Sequence, residues 1–232
     1  LLVALEHLEP NVQRSALLLL DQHPHRAEIR TAVVDRLSAA DPALRRTALR
    51  ILADHPEWAP EAHTLLQRWI EAPALADEQR AALQNLILAF QDQSALQQLV
   101  GSSLTGGTLS TERRLLLITA IQQCSLDKLP DAWIEGLGLA LRQSQPEVRQ
   151  AAVRTVATLQ LPALDEELAQ LSARPDIAAA LRIEALRGIV ARRAQLSDTA
   201  FELLIEQLDD ASNPLPRLTA AEVLGRARLS QT

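Results

Sequence analysis

One pattern returns seven times along these 232 residues, and it restricts the fold more than any other feature of the chain. A polar or proline-containing turn leads to an Arg or Gln, then two residues, a small residue, an aliphatic one, and another aliphatic three further on. The small-residue anchor falls at Ala16, Ala48, Ala82, Leu116, Ala152, Ala185 and Ala220, at intervals of 32, 34, 34, 36, 33 and 35. The residue after each anchor is Leu17, Leu49, Leu83, Leu117, Val153, Leu186 or Ala221. Four after it come Leu20, Leu52, Leu86, Ala120, Val156, Ile189 and Leu224. Three before it come Gln13, Arg45, Gln79, Arg113, Arg149, Arg182 and Arg217.

Offsets of 0, 1 and 4 share one face of a helix, so every unit opens with an amphipathic leading helix whose small anchor admits a close neighbour. Asp41-Pro42, Gln145-Pro146 and Asn213-Pro214 stand just ahead of leading helices as start signals. Between leading helices lie second periodic segments, the returning helices. They are marked by Ile29, Val33 and Leu37, by Trp58 to Trp69, by a short run at Leu96, Leu99 and Val100, by Trp133 to Leu141, by Leu164 to Leu171, and by Phe201 to Leu208. Composition agrees with closely packed helices. Hydrophobic residues make up 47% of the chain, but they are nearly all Leu, Ala, Ile and Val, with two Phe, three Trp, no Tyr and no Met.

Asp41 to Ala53 (Asp-Pro-Ala-Leu-Arg-Arg-Thr-Ala-Leu-Arg-Ile-Leu-Ala) and Pro146 to Ala157 (Pro-Glu-Val-Arg-Gln-Ala-Ala-Val-Arg-Thr-Val-Ala) resemble the first-helix pattern of the HEAT-repeat family, a likeness that extends over roughly residues 10–228. The third and fourth units depart most, because Leu116 replaces the small anchor and Gly101 to Ser110 looks like a loose insertion. The resemblance implies an all-α solenoid of about six antiparallel helix pairs in one curved superhelix. A narrower likeness lies in His55-Pro56-Glu57-Trp58 and in Leu215 to Gly225, which are similar to the HEAT region of planctomycete-type membrane-bound dehydrogenases. Those bacterial chains join a propeller, HEAT repeats and a c-type haem domain. No Cys-x-x-Cys-His occurs here, so that likeness brings no haem. It implies a spacer in a multidomain redox protein of the periplasm or cell envelope. Without it the reading defaults to the cytoplasm.

Residues 1–232 read as a single repeat domain with a flexible joint near 101–110, cut from a longer chain at both ends. Leu1 to Leu8 is an apolar half-repeat, and the leading helix around Val223 and Leu224 has no partner after it, so both are expected to expose apolar surface.

Charge and cysteine content remove several function classes. A net charge of −6 argues against general nucleic-acid binding. Cys124 is the only cysteine, which excludes an intrachain disulfide and any Cys-based zinc set, and it has no His nearby to activate it. No apolar run is long enough to span a membrane. Gly106-Gly107 lacks the Gly-Lys-Ser/Thr of a phosphate loop. His23-Pro24 and His55-Pro56 each fall seven residues after an anchor, which suggests a shared job at helix ends, bonding free carbonyls. His23 with His25 lacks further ligands at metal-binding spacing. Trp58, Trp69 and Trp133 fit core packing better than exposed partner anchors.

The returning helices near the C-terminus carry the most telling charge. Pro162 to Ser172 holds Asp165, Glu166 and Glu167, and Leu196 to Asp210 holds Asp198, Glu202, Glu206, Asp209 and Asp210, with no basic residue in either. Arg174 to Arg193 leans the other way. Returning helices line the concave side of HEAT arrays, so Asp165, Glu166, Glu202, Glu206 and Asp209 are candidates for an acidic groove that takes a basic partner. The chain is accordingly expected to be a protein-interaction scaffold and not itself an enzyme, with no cofactor, although a parent chain could be an oxidoreductase. A phycobilin-lyase-like small-molecule protein is the alternative, followed by a HEAT-type DNA glycosylase, which the charge disfavours.

Overall fold

The start of a leading helix shows how the sequence builds this molecule. The carboxylate of Asp41 accepts a hydrogen bond from the Leu44 amide at 2.7 Å, and Pro42 occupies the first helical position, where no amide proton is needed. Ser110 caps its helix in the same way, accepting from the Arg113 amide at 3.2 Å. Repeated along the chain, such starts give a computed structural model that describes residues 2–7, 9–22, 27–190, 192, 196–209 and 214–227.

Among the described residues there are thirteen α-helices and no strand. The leading helices are α1 (Pro10–Asp21), α3 (Pro42–Ala53), α5 (Asp77–Ala89), α7 (Thr111–Gln123), α9 (Pro146–Leu159), α11 (Ala179–Val190) and α13 (Pro214–Arg226). The returning helices are α2 (Ala27–Arg36), α4 (Ala59–Glu71), α6 (Ser94–Thr105), α8 (Asp131–Leu141), α10 (Asp165–Ala173) and α12 (Asp198–Asp209). Single 3-10 turns at Leu2–Glu6, Pro56–Trp58 and Pro162–Leu164 complete the order. The fold is therefore all-α, made of HEAT-like helix pairs. The chain divides into two compact units, Leu1–Leu99 and Val100–Thr232, with the boundary inside α6, where the sequence reads as one domain.

In the first unit α1 and α2 both pack on α3, α4 packs on α5, and α3 meets α5. In the second, the leading helices form a row, α7 on α9, α9 on α11 and α11 on α13, while the returning helices α8, α10 and α12 touch in sequence behind them. The anchors explain the row. Ala152, Ala185 and Ala220 are fully buried, as are Ala16 and Ala48 in the first unit, so leading helices approach with only a methyl group between them. Ala82 is half-buried, and so is Leu116. The buried small residue of α7 is Ala120, and Arg113 and Arg114 are buried on the same helix.

The Arg or Gln three before each anchor has a structural job in four of the units. Gln13 donates to the His7 carbonyl at 2.6 Å, Arg45 to the Ala39 carbonyl at 2.7 Å, and Arg182 to the Ser172 carbonyl at 2.7 Å. In the fourth case Gln79 accepts from the Ala76 amide at 3.0 Å, which closes the start of α5. The repeated residue thus ties off backbone groups left open where one helix ends and the next begins.

Residues read as a loose joint are mostly helical. Gly101 to Thr105 complete α6, and only 106–110 connect it to α7. Gly101 and Gly136 are close-approach positions: a Cβ on Gly101 would lie 2.5 Å from that of Ala132, and one on Gly136 would lie 2.7 Å from that of Leu104. These glycines bring α6 and α8 together.

Candidate functional site

Asp165, placed in the acidic groove by its sequence, is withdrawn from the surface. Its side chain is 5% exposed, and the Arg192 guanidinium binds both carboxylate oxygens, Nε at 3.1 and 3.2 Å, with a further contact from a terminal nitrogen. The pair fastens the first residue of α10 to Arg192, two residues past α11. Glu167 is also engaged, with Arg142 at 3.1 Å. Glu166, Glu202, Glu206 and Asp209 are exposed. Asp210 and Arg193 lie outside the described residues.

On α12 the acids have apolar company. Phe201 and Ile205 are exposed and lie one turn apart, each followed directly by an acid, Glu202 and Glu206. Asp209 continues the same stripe a turn further on. None of these three carboxylates makes an ion pair among the described residues. On the next helix, Leu215 is 76% exposed and Leu218 69%. The large apolar side chains that stay exposed in the described residues fall at Val3 to Leu19 and at Phe201 to Leu218, and nowhere between. The expected exposure at Val223 is not found: that residue is buried, and Leu224 is half-buried, because α13 turns this face onto α11. Leu1 and Leu8 lie outside the described residues.

The first unit contains a different feature. Between α3 and α5 lies a cavity of about 500 Å³ whose walls are mostly apolar. Leu49 and Ala53 come from α3, Ala82 and Leu86 from α5, and Trp69 from α4. Arg45 and Arg46 stand at the rim and both bind Glu78 on α5, at 2.6 and 2.8 Å. The Arg45 hydrogen bond above all, and then the two positive charges, hold the Glu78 carboxyl below its ordinary pKa against the opposing effect of burial. Arg45, Trp69, Glu78 and Gln79 also line a second cavity of about 710 Å³ beside α2 and α4. Sequence reasoning missed the cleft. The one available signal was Trp69, whose indole lies thirteen residues before an anchor, where the unit ending at Ala185 has Ser172.

His55 does not cap helix carbonyls as its position suggests. Its Nε2 lies 2.8 Å from Asp21 and its Nδ1 2.8 Å from Glu57, and the ring stacks on Trp58 at 4.2 Å between centroids. Burial opposes the charged ring, but the hydrogen bonds and charges of the two acids outweigh it, so the pKa is raised. His23, Pro24, His25 and Asn213 lie outside the described residues. Trp58, Trp69 and Trp133 are all buried. Cys124 is buried, with its sulfur donating to the Ala120 carbonyl at 3.3 Å. Among the described residues no group of three or more His, Cys, Asp or Glu could hold a metal ion, and no helix is long and apolar enough to cross a membrane.

No family model matches the chain, and no curated protein does. Among solved structures it resembles human deoxyhypusine hydroxylase in complex with glycerol, at 18% identity and a TM-score of 0.40, over 96% of this chain and 81% of that one. That neighbour is an enzyme by name, so the expectation that a chain like this is not one does not stand. At such identity and TM-score, the likeness carries no residue and no reaction across.

Proposed function

We propose that the chain is an interaction module whose second unit docks a basic amphipathic helix along α12. The observation that carries this reading is the mixed stripe on that helix: Phe201 and Ile205 exposed to water, each beside a carboxylate, with Asp209 extending the row. Apolar side chains supply affinity when a partner covers them, and free carboxylates set its charge and speed its approach. An amphipathic helix with Leu or Ile at three- and four-residue spacing and Lys or Arg beside them matches both requirements. Glu166, also exposed, lies on α10, which is in contact with α12. Asp165 is no part of the proposed surface, because Arg192 holds it. On the narrower dehydrogenase resemblance, the partner would be a flanking domain of a multidomain redox protein.

The test uses a fluorescently labelled basic amphipathic peptide and measures anisotropy at rising salt. Binding should weaken as salt screens the exposed acids within about 8–10 Å. Glu202→Lys with Glu206→Lys should lower affinity by about tenfold or more. The melting temperature should hardly move, because neither residue packs in the interior. Affinity that ignores both salt and the double change would refute the docking surface.

A further inference from the structure

We infer that the cleft between α3 and α5 is a binding site for a small amphipathic organic anion: a carboxylate or sulfonate head with an aliphatic chain of about ten carbons, sized to a pocket within the ordinary small-ligand range. Two independent features of the cleft agree on that class.

The first is its walls. The anchors Ala16, Ala48, Ala152, Ala185 and Ala220 are buried, but here Ala82 is half-buried and Leu49 and Ala53 line the open cleft. The volume of about 500 Å³ is lined mostly by carbon, the buried Trp69 included. Water in such a space finds few hydrogen-bond partners, so an aliphatic chain that displaces it is favoured.

The second is the rim. α3 carries Arg45, Arg46 and Arg50 and no acid between Pro42 and Ala53, in a chain whose net charge is −6. Glu78 is the single carboxylate in the lining, and it satisfies Arg45 and Arg46. Arg50 is exposed and has no ion-pair partner among the described residues. Three guanidinium groups therefore face one carboxylate over an apolar floor. An incoming anion would bond Arg50 and share Arg46, while Arg45 stays with Glu78. The amides of Asn85 and Gln79 are on the opposite wall. A neutral alcohol of the same length would gain the floor but not the rim, which makes the head group the diagnostic element.

Sodium decanoate, below its micelle concentration, is the probe, with decanol as the neutral control. Binding is followed by amide chemical shifts across the folded protein. Decanoate should bind saturably, with shifts concentrated on α3, α5 and the end of α4. Arg46→Gln with Arg50→Gln should weaken decanoate by about tenfold and leave decanol unchanged. Ala82→Phe should fill the cleft and abolish both. If that variant fails to fold, the glutamine pair, at exposed positions, decides alone. Non-saturable binding, shifts elsewhere, or equal loss of decanoate and decanol in the glutamine variant would overturn the inference. Binding to phosphatidylglycerol vesicles without binding of decanoate would also overturn it, assigning the arginines to a membrane surface.

Discussion

The seam between α9 and α11 and the seam between α3 and α5 grow from the same repeat, yet one is shut and the other open. On α9, Ala152, Val153 and Val156 are fully buried, and on α11 Ala185 and Leu186 meet them. Three residues after the α11 anchor is Gly188, where a Cβ would lie 3.1 Å from that of Ala157. The same offset in α5 is Asn85, which is exposed and lines the cleft. Behind the seams the last turns of the returning helices differ too: Ser172 is at the end of α10 and Trp69 at the end of α4, both buried. Trp69 lines the open seam, whereas the smaller Ser172 turns its hydroxyl to the Ala169 carbonyl of its own helix. The two seams thus differ around an unchanged alanine anchor, at the third offset and at the end of the returning helix.

The sharpest way to break this comparison is to truncate the indole. Trp69→Ala should cost about 3–5 kcal/mol, the usual loss for truncating a buried aromatic side chain, and the cleft should lose part of its lining and its decanoate binding. Urea unfolding followed by the two remaining tryptophans measures it. A loss below about 1 kcal/mol would mean that Trp69 is not packed at the seam.

Asp165→Ala sharpens the closed side. Arg192 would keep a largely buried guanidinium without its acid, and since Arg192 retains some access to water the loss should be about 2–4 kcal/mol. A variant that unfolds at the wild-type urea concentration would return Asp165 to the surface stripe its sequence suggested.

The smallest expected effect concerns the first unit alone. His55 joins Asp21 at the end of α1 to Glu57 after α3, and its pKa is raised above the ordinary 6.5. Its unfolded counterpart loses the proton first. The stabilisation is therefore complete below about pH 6.5 and fades as the pH rises through the higher folded-state value. Relative to His55→Gln, the wild type should hold a larger advantage at pH 5.5 than at pH 8.5. Equal advantage at both would show that the ring acts by stacking on Trp58 and not by charge.

These positions also show what could be read in advance. The helices and their pairing follow from period and punctuation: offsets of 0, 1 and 4 bury Ala152, Val153 and Val156 as a pattern argument requires. Asp165 misled because a charge count along a helix does not see a partner twenty-seven residues on. Gly101 misled because a glycine chosen for close packing against Ala132 looks the same as one chosen for freedom. In α7 the anchor position, Leu116, is half-buried, while Leu117 and Ala120 at the next offsets are buried as counted. The cleft was the least legible feature. It is defined by contacts not made, and Ala82 is as small as Ala152; the differences lie around the anchor, at Asn85 and the distant Trp69.

That pair of alanines gives the most direct measurement. Ala82→Leu and Ala152→Leu add the same atoms to the same place in the repeat, and urea unfolding of both variants compares the two seams. Ala152→Leu should lose about 1–3 kcal/mol through overpacking, while Ala82→Leu, growing into open space, should stay within about 0.5 kcal/mol of the wild type. Equal losses at the two positions would contradict an open seam between α3 and α5, and the binding cleft with it.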